Sequence, residues 1–291
     1  MSSHDTANEA PVVSVLMLTF NRPQFISRAI ESIRAQSLTN WELIVVHDGP
    51  NEEIRQILLG WEQRDRRIRY FHRPRGGNIA EANNYGLRLA RGRFVAILDD
   101  DDYWLEASKL ERQMAFLESH PEYAGCGGGA VCIDERGRET MRYLKPQTHE
   151  QIVAVALLAN PLLHSSSMYR LEAAAAVGFY DESLAGFQDW DLWLKLVQVG
   201  KLANFPEFLY AYQMWDGGGS FAAQRRNTES ALRIVKRHGG RFRGKWKALA
   251  MAWAYYLYAR LPLGVRKATF HSLSRLKKMA FSGGVRSQRA E

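Results

Sequence analysis

Hydrophobic and polar positions along the first hundred residues alternate between two periodicities. Mainly apolar runs cover residues 12–18, 41–46, 68–71 and 94–98, the pattern of strands buried on both faces. Residues 23–33 and 79–90 instead have apolar positions at helical spacing, and Asn51 is placed to cap a further helix that starts with Glu52 and Glu53. This order predicts an α/β fold with a mainly parallel central sheet flanked by helices.

The pattern is less regular after residue 102. Helices are predicted over residues 105–119, 171–177 and 190–199, and strands over residues 130–133, 165–169 and 208–213. Residues 134–137 have the composition of a hairpin turn, and the glycine-rich residues 125–129 predict a flexible or tightly packed stretch. From residue 225 onward we expect mostly helix.

Charge is distributed unevenly along the 291 residues. The net charge is +8, but residues 225–291 contain 17 Lys or Arg against two acids and so carry +15, which leaves −7 for residues 1–224. A basic segment of this kind suits an anionic membrane surface, nucleic acid or an acidic partner. The aromatic residues of 246–258 favour a membrane interface. Packing of this segment on the rest of the chain is an equally weighted alternative.

Other features of the composition bear on compartment. Residues 1–10 are polar and lack the features of a signal peptide, and no apolar run reaches the roughly 20 residues that span a bilayer. Cys126 and Cys132 fit two reduced thiols better than a disulfide framework. We therefore expect a cytoplasmic protein that can also dock peripherally on the inner face of the membrane.

Candidate chemistry gathers where three predicted strands end, at residues 19–22, 47–49 and 99–102. Ligands of open parallel sheets bind beyond these ends. Residues 99–102 are four consecutive aspartates, whose carboxylates repel one another unless a cation lies between them. Mg²⁺ or Mn²⁺ prefers such oxygen ligands and leaves positions free for phosphate oxygens. The alternative is an acidic loop that is merely exposed to solvent, but the position of residues 99–102 at the end of a predicted strand favours a metal site.

Over roughly residues 12–220 the sequence resembles family 2 of inverting glycosyltransferases, which have the GT-A fold. The resemblance lies in the order and spacing of VSVLMLTFNRP, WELIVVHDGPNEE, GLRLARGRFVAILDDDD, HSSSMYR, VGFYDESLAGFQDWDLWLKL and FLYAYQ. It implies a GT-A catalytic domain over residues 11–224, with a Rossmann-like nucleotide-binding half at 11–102 and an acceptor half at 103–224. A flexible N-terminus at 1–10 and a basic helical extension at 225–291 complete the expected organisation.

The resemblance also implies roles for individual residues. Donor-binding residues are expected at Thr19, Phe20, Asn21, Arg22, Asp48, Arg75, Asn83, Asp99 and Asp100. Asp99 and Asp101 form the D-x-D pair that would hold Mg²⁺ or Mn²⁺, with Asp101 as the direct ligand. Asp189 falls at the position of the catalytic base, and acceptor or secondary contacts are expected at His164, Trp190 and Asp191.

Three positions depart from the family pattern. His47 stands where the family usually has Asp, Asn83 where many members have Arg, and Trp215 where many have His. The phosphates are then expected to contact Arg73 or Arg75. Several assigned residues also have a structural alternative: Asp48 can form a turn with Gly49, Asp189 can cap a helix, and His164 and Trp190 can belong to the core.

The function implied is transfer of a hexosyl group, with inversion, from a nucleotide-diphosphate donor to an acceptor hydroxyl. A UDP-sugar is the expected donor, with dTDP and GDP left open, and a carbohydrate or lipid-linked acceptor suits cell-surface polysaccharide or glycolipid synthesis. One alternative is a nucleotidyltransferase, although residues 21–23 are a poor phosphate loop. Another is a non-catalytic protein that binds membrane or nucleic acid through its tail. We do not expect nucleic acid as a partner of the enzyme.

Overall fold

The four apolar runs of the first hundred residues form the parallel half of one sheet. In the computed structural model, which describes residues 10–74, 77–214, 224–262 and 287–288, the strands pair side by side in the order β3-β2-β1-β4. Their bounds are β1 Val13–Thr19, β2 Trp41–Asp48, β3 Ile68–Arg73 and β4 Phe94–Ile97. The predicted parallel sheet is therefore confirmed for this half, and its carboxyl ends lie along one edge.

Three helices cover the two faces of this half, with bounds α1 Pro23–Arg34, α2 Glu52–Arg64 and α3 Ile79–Leu89. Each start follows from local chemistry, because Pro23 occupies the first turn of α1 and the Asn51 side chain accepts the amide of Ile54 in α2. Apolar side chains of α1 and α2 pack with one face of β1, and those of α3 pack with the other. The core thus lies on both sides of the sheet.

The second half adds antiparallel strands to the same sheet. Its elements are β5 Tyr103–Trp104, α4 Lys109–Ser119, β6 Tyr123–Ile133, β7 Glu139–Tyr143, α5 His149–Val155, a 3-10 helix at His164–Ser166, β8 Met168–Arg170, α6 Leu171–Ala176, α7 Gln188–Leu196 and β9 Lys201–Gln213. Strand β8 runs antiparallel between β4 and β6, while β9 pairs in parallel with β6 and antiparallel with β5. The sheet as a whole is therefore mixed.

Several boundaries differ from the sequence-based expectations. The glycine-rich residues 125–129 lie within β6, where a Cβ at Gly128 would come 2.5 Å from a side-chain carbon of Leu209, so close packing and not flexibility accounts for the glycines. Helix α4 begins at Lys109, later than predicted, because Tyr103 and Trp104 pair with β9. The expected strand over 165–169 is shortened by the 3-10 helix. Strand β7 and helix α5 were not predicted.

Two helices of the basic extension, α8 Gln224–His238 and α9 Lys245–Tyr258, pack against the preceding domain. Their apolar side chains share one cluster with α7, formed by Ala156, Leu157, Leu184, Trp190, Leu194, Leu232, Ile234, Val235, Phe242, Ala248 and Ala252. A short strand, β10 Ser287–Gln288, pairs antiparallel with β7. Within the described ranges, no helix is both long and apolar enough to cross a bilayer. The expected flexible N-terminus lies outside the described residues, apart from Ala10.

A buried ion cluster joins α7 to α8. The fully buried Asp191 carboxylate lies 2.8 Å from Nε2 of His238, 3.1 Å from Nη1 of Arg237 and 3.1 Å from Nζ of Lys195. Burial acts to raise the pKa of Asp191, but the His238 hydrogen bond and the Lys195 charge outweigh it and lower the pKa. The domain and its C-terminal helices are therefore joined by both charge and apolar packing.

Replacing Asp191 should loosen this junction. We expect Asp191→Asn to lower the free energy of unfolding by about 3 kcal/mol, because it removes the buried charge that Lys195, Arg237 and His238 share. Urea denaturation measures this loss. The matched control is Glu229→Gln, which breaks the exposed 2.9 Å ion pair with Arg260 and should cost less than about 1 kcal/mol. Equal, small losses for both variants would contradict a stabilising role for the cluster.

Candidate active site

A cleft of about 1140 Å³ opens at the carboxyl ends of β1, β2 and β4. Its other walls come from the start of α7, the end of β9 and the first turns of α8. The predicted site residues that line it are Thr19, Phe20, Asn21, Arg22, Asp48, Asp99, Asp101, His164 and Asp189. Residues that are far apart in the sequence thus meet in one place.

The turn after β1 shapes one end of the cleft. Asn21 has φ of +51°, a left-handed conformation that Asn tolerates better than most residues, and Arg22 follows it as the N-cap of α1. Phe20 is half exposed and lies against Gly49, where a Cβ would come 2.8 Å from its ring. The glycine after Asp48 therefore permits this close approach.

Asp48 lies at the same end and is held by one hydrogen bond and one ion pair. Its Oδ2 accepts the backbone amide of Gly77 at 2.8 Å, and its Oδ1 lies 3.5 Å from Nε of Arg73. Arg73 also reaches Glu81 at 3.4 Å, so its guanidinium is engaged beside the cleft. Arg75, the other candidate for phosphate contact, lies outside the described residues, as does Trp215.

The aspartate run divides into two pairs. Asp99 and Asp101 line the cleft, whereas Asp100 and Asp102 are buried beneath it. Asp102 accepts hydrogen bonds from the Ser165 hydroxyl at 2.6 Å and from the backbone amide of Gln213 at 3.1 Å. Burial and the neighbouring acidic side chains raise the pKa of Asp102 well above the usual range. Its role is therefore to tie the end of β4 to the 3-10 helix and to β9.

Arg22 neutralises part of the run. Its Nη2 lies 2.6 Å from Oδ1 of Asp100, and its Nη1 donates to Oδ2 of Asp101. Burial nevertheless raises the pKa of Asp100 to about 7. Asp100 is buried and does not line the cleft, so its expected direct donor contact stays a prediction.

The two cleft-facing carboxylates are chemically suited to a divalent metal. In the part of the chain that the structure describes, no three His, Cys, Asp or Glu side chains form a metal site by themselves. Mg²⁺ and Mn²⁺ are, however, often held by one or two carboxylates together with substrate phosphate oxygens. Asp48, Asp99, Asp101 and Asp189 also give the cleft four acidic side chains. A diphosphate would be repelled there unless a cation accompanied it.

His164 belongs to both the site and the core. Its Nδ1 lies 3.2 Å from Oδ1 of Asp99, and its Nε2 lies 3.0 Å from the Tyr180 hydroxyl. Burial acts to lower the pKa of His164, but the Asp99 carboxylate outweighs it and the pKa is raised. His164 therefore helps to orient Asp99, together with the Ser165 hydroxyl, which lies 3.2 Å from Oδ2 of Asp99.

Asp189 lies in the first turn of α7 and faces the cleft. Its Oδ2 accepts the Asn160 side-chain amide at 2.5 Å. The N-cap of α7 is Phe187, with no side-chain cap hydrogen bond, so Asp189 does not cap the helix. Phe187 has φ of +57°, a strained conformation for a bulky residue, and strain of this kind often occurs at functional sites.

Three other predicted residues lie away from the cleft. Asn83 is buried and bonds the Ile79 carbonyl within α3. Trp190 donates its Nε1 proton to the carbonyl of Ala156 at 2.6 Å and packs in the cluster with α8 and α9. Asp191 is buried in the ion cluster described above. All three therefore contact the surrounding fold and none lines the cleft, so their expected ligand contacts stay predictions.

Several lining residues were not found from the sequence, namely Gln188, Tyr212, Gln213, Met214 and Asn227. Gln188 and Gln213 lie within two of the sequence segments that resemble family 2, so both could have been predicted as site residues from that resemblance. Asn227 could not, because it comes from α8, which we had assigned to a separate extension. Asn160 lacks any local signal, since its contact with Asp189 depends wholly on the tertiary fold.

Comparison with known proteins agrees with this geometry. Residues 14–178 match Glycosyl transferase family 2, and the chain therefore belongs to that family. The amylovoran biosynthesis glycosyltransferase AmsE of Erwinia amylovora is 29% identical over 200 residues, which cover 67% of this chain and 74% of AmsE. The uncharacterised glycosyltransferase MJ1057 of Methanocaldococcus jannaschii is 29% identical over 211 residues, or 71% of this chain and 72% of the relative.

Solved structures show the same fold at low sequence identity. S. aureus TarS 1–349 in complex with UDP-GlcNAc superposes with a TM-score of 0.64 at 17% identity, over 87% of this chain and 76% of that one. The mannosyltransferase PcManGT of Pyrobaculum calidifontis, in complex with GDP-Man and Mn²⁺, gives a TM-score of 0.62 at 16% identity, over 92% and 81%. The predicted GT-A type fold is confirmed.

The departure from the family pattern at His47 has a measurable consequence. His47 is buried beside the cleft, stacked on His72, and burial together with repulsion from His72 lowers its pKa to about 4. Because the unfolded chain binds this proton near pH 6.5 and the folded chain does not, stability is lost as the pH falls from 6.5 towards 4. We expect His47→Asn to remove on the order of 2–3 kcal/mol of this loss, as measured by urea denaturation at pH 7 and pH 4. An equal loss of unfolding free energy between pH 7 and pH 4 in wild type and His47→Asn would contradict this role of His47.

Proposed function

We propose that this family 2 glycosyltransferase is a metal-dependent, inverting enzyme that transfers a sugar from a nucleotide-diphosphate donor to an acceptor hydroxyl. The observation that supports this most is that Asp99, Asp101 and Asp189 line one cleft. Two of these carboxylates suit a metal with a diphosphate, and the third is separate and suits proton transfer. Membership of family 2 speaks against the nucleotidyltransferase alternative.

The donor is proposed to lie across the carboxyl ends of β1 and β2. Thr19, Phe20, Asn21 and Asp48 would hold the nucleoside, and Arg22 would meet the phosphates. A UDP-sugar is the first candidate, with GDP and dTDP donors as alternatives. TarS with UDP-GlcNAc and PcManGT with GDP-Man support a nucleotide-sugar, and AmsE, named for amylovoran biosynthesis, supports a role in cell-surface polysaccharide synthesis.

Asp99 and Asp101 are proposed to hold Mg²⁺ or Mn²⁺. A bound divalent cation would neutralise the charge that develops on the departing nucleoside diphosphate. The structure of PcManGT with Mn²⁺ supports this assignment. Within the chain itself, His164 orients Asp99, and the ties of Asp102 to Ser165 and Gln213 hold the loop in place.

Asp189 is proposed to act as the general base. It takes the proton of the acceptor hydroxyl as that oxygen forms a bond with the anomeric carbon. The bond between this carbon and the diphosphate oxygen breaks, its electron pair leaves with the nucleoside diphosphate, and the configuration inverts. Asn160 donates to one oxygen of Asp189 and so fixes the carboxylate while the other oxygen accepts the proton.

The base assignment predicts a large effect of a small change. Asp189→Asn keeps the size of the side chain but removes its basicity, so the transfer rate should fall by roughly 10² to 10⁴ fold. UDP affinity and melting temperature should stay near their wild-type values, because Asp189 neither caps α7 nor lies in the core. Initial rates of UDP release in the presence of acceptor measure the loss.

The matched control is Asp181→Asn, the same substitution in the preceding loop, at a residue that pairs with Arg237 outside the cleft. This variant should retain transfer within about twofold, as expected for a surface ion pair. Near-normal transfer by a well-folded Asp189→Asn protein would remove Asp189 from the mechanism.

A lipid-linked acceptor on an anionic membrane is proposed as the partner, and the outer face of α9 supports it. Trp246, Ala250, Trp253 and Leu257 are exposed at i, i+4, i+7 and i+11 and form one stripe, while the apolar cluster with α7 takes in Ala248 and Ala252. Lys245 lies 5.4 Å from the Trp246 ring, and Lys236 lies 5.4 Å from the Trp253 ring. Aromatic residues beside cations suit a negatively charged bilayer surface.

Vesicle flotation tests this stripe. We expect the full chain to float with vesicles of phosphatidylglycerol and phosphatidylcholine, and the double variant Trp246→Ser with Leu257→Ser to lose about tenfold in bound fraction, because apolar burial is removed. The control is Val199→Ser, at an apolar residue that is 53% exposed but lies outside α9. If the wild-type chain ignores anionic vesicles at low salt, the membrane proposal is wrong.

A further inference from the structure

The position of Arg22 raises a question about how the proposed metal reaches Asp101. The guanidinium bridges two carboxylates, since Nη2 lies 2.6 Å from Oδ1 of Asp100 and Nη1 donates to Oδ2 of Asp101. The Asp100 side chain is fully buried, whereas the Arg22 and Asp101 side chains are 26% and 14% exposed. One arm of the guanidinium is therefore anchored in the protein, and the other lies at the cleft.

Arg22 and a divalent cation would compete for Asp101. Both are positive and both are attracted to the same carboxylate, so a metal that arrives alone meets an Asp101 side chain that is already paired with the guanidinium. A donor diphosphate changes this balance, because it offers Arg22 new anionic oxygens with favourable bidentate geometry. It also supplies further ligands to the metal.

We propose that Arg22 is a positioning residue that closes the aspartate site to free metal and exchanges Asp101 for the donor diphosphate, so that metal and donor bind together. This inference rests on the proposed function. In the exchange, Nη2 stays on Asp100 and Nη1 turns from Asp101 to a phosphate oxygen. The metal then takes the place at Asp101 that Nη1 has left.

Burial of Asp100 explains why rotation of the Arg22 guanidinium about this contact is favoured over its withdrawal from both carboxylates. If Arg22 left both carboxylates, Asp100 would remain buried without its cation, which is costly. Turning about the Asp100 contact avoids this cost and moves only the arm that lines the cleft. A permanent structural ion pair is the alternative, and it predicts a loss of stability without any change in metal binding.

Arg28 provides a matched control for the charge itself. Its Nη2 lies 3.3 Å from the backbone oxygen of Asp101 and 2.8 Å from Oε1 of Gln213. Its positive charge is therefore near Asp101 but is not bonded to the carboxylate. Arg28→Gln and Arg22→Gln remove the same charge from the same neighbourhood, and they differ in whether the carboxylate is released.

The experiment measures Mn²⁺ affinity of the full chain by electron paramagnetic resonance of the free ion, with and without UDP. Without nucleotide, Arg22→Gln should bind Mn²⁺ about tenfold more tightly than wild type, and at saturating Mn²⁺ it should bind UDP about tenfold more weakly. Arg28→Gln should stay within about twofold of wild type in both measurements. Arg22→Lys restores a cation and should return Mn²⁺ affinity towards wild type. Adding Asp101→Asn to Arg22→Gln should abolish the gain.

The outcomes separate this inference from the proposed function. Unchanged Mn²⁺ affinity in Arg22→Gln, with Mn²⁺-dependent UDP binding retained, overturns the exchange but leaves the glycosyltransferase proposal intact. Equal gains in Arg22→Gln and Arg28→Gln reveal a general charge effect and overturn it as well. If Arg22→Gln does not fold, Arg22→Met replaces it in both measurements with the same expected tenfold changes, and unchanged Mn²⁺ affinity in Arg22→Met overturns the exchange. Absence of Mn²⁺-dependent UDP binding in wild type overturns both proposals.

Discussion

Mutual repulsion of four neighbouring carboxylates is the constraint on which the rest of the site depends. Three different parts of the fold compensate the members of the run after β4. His164 of the 3-10 helix contacts Asp99, Arg22 of the turn after β1 contacts Asp100 and Asp101, and Ser165 and the end of β9 contact Asp102. The elements that surround the cleft are thus fastened to one another through this run.

This arrangement also gives adjacent acidic residues different roles. Of the buried pair, Asp102 ties the loop to Ser165 and β9 and Asp100 pairs with Arg22, whereas Asp99 and Asp101 face the cleft. A similar division occurs in α7, where Asp189 faces the cleft and Asp191, two residues later, is buried against α8. Neighbouring acidic residues therefore have opposite surroundings, and identical chemistry in the sequence gives different roles in the structure.

The sequence predicted the first half of the fold well, because strands buried on both faces and capped helices leave strong local patterns, as at Asn51 in α2. Helix α5 also had a local signature, the capping box of Thr148 and Gln151, which we did not use. Strand β7 is short and half-exposed and depends on pairing with β6.

The site residues near strand ends were found for the same reason as the strands. Asn160 and Asn227 were not found, because only tertiary packing brings them to the cleft. Trp190 and Asp191 lie against the C-terminal helices, which the sequence did not predict because a helical repeat does not tell which neighbour will cover a face.

A panel of nucleotide-sugars tests the central claim most directly. Wild-type protein is incubated with UDP-, GDP- and dTDP-sugars, with Mn²⁺ or with a chelator, and released products are identified by phosphorus nuclear magnetic resonance. The account predicts that at least one donor yields its nucleoside diphosphate, and that the chelator abolishes this release. Release of a sugar phosphate with a nucleoside monophosphate, or equal release with and without the metal, would contradict it.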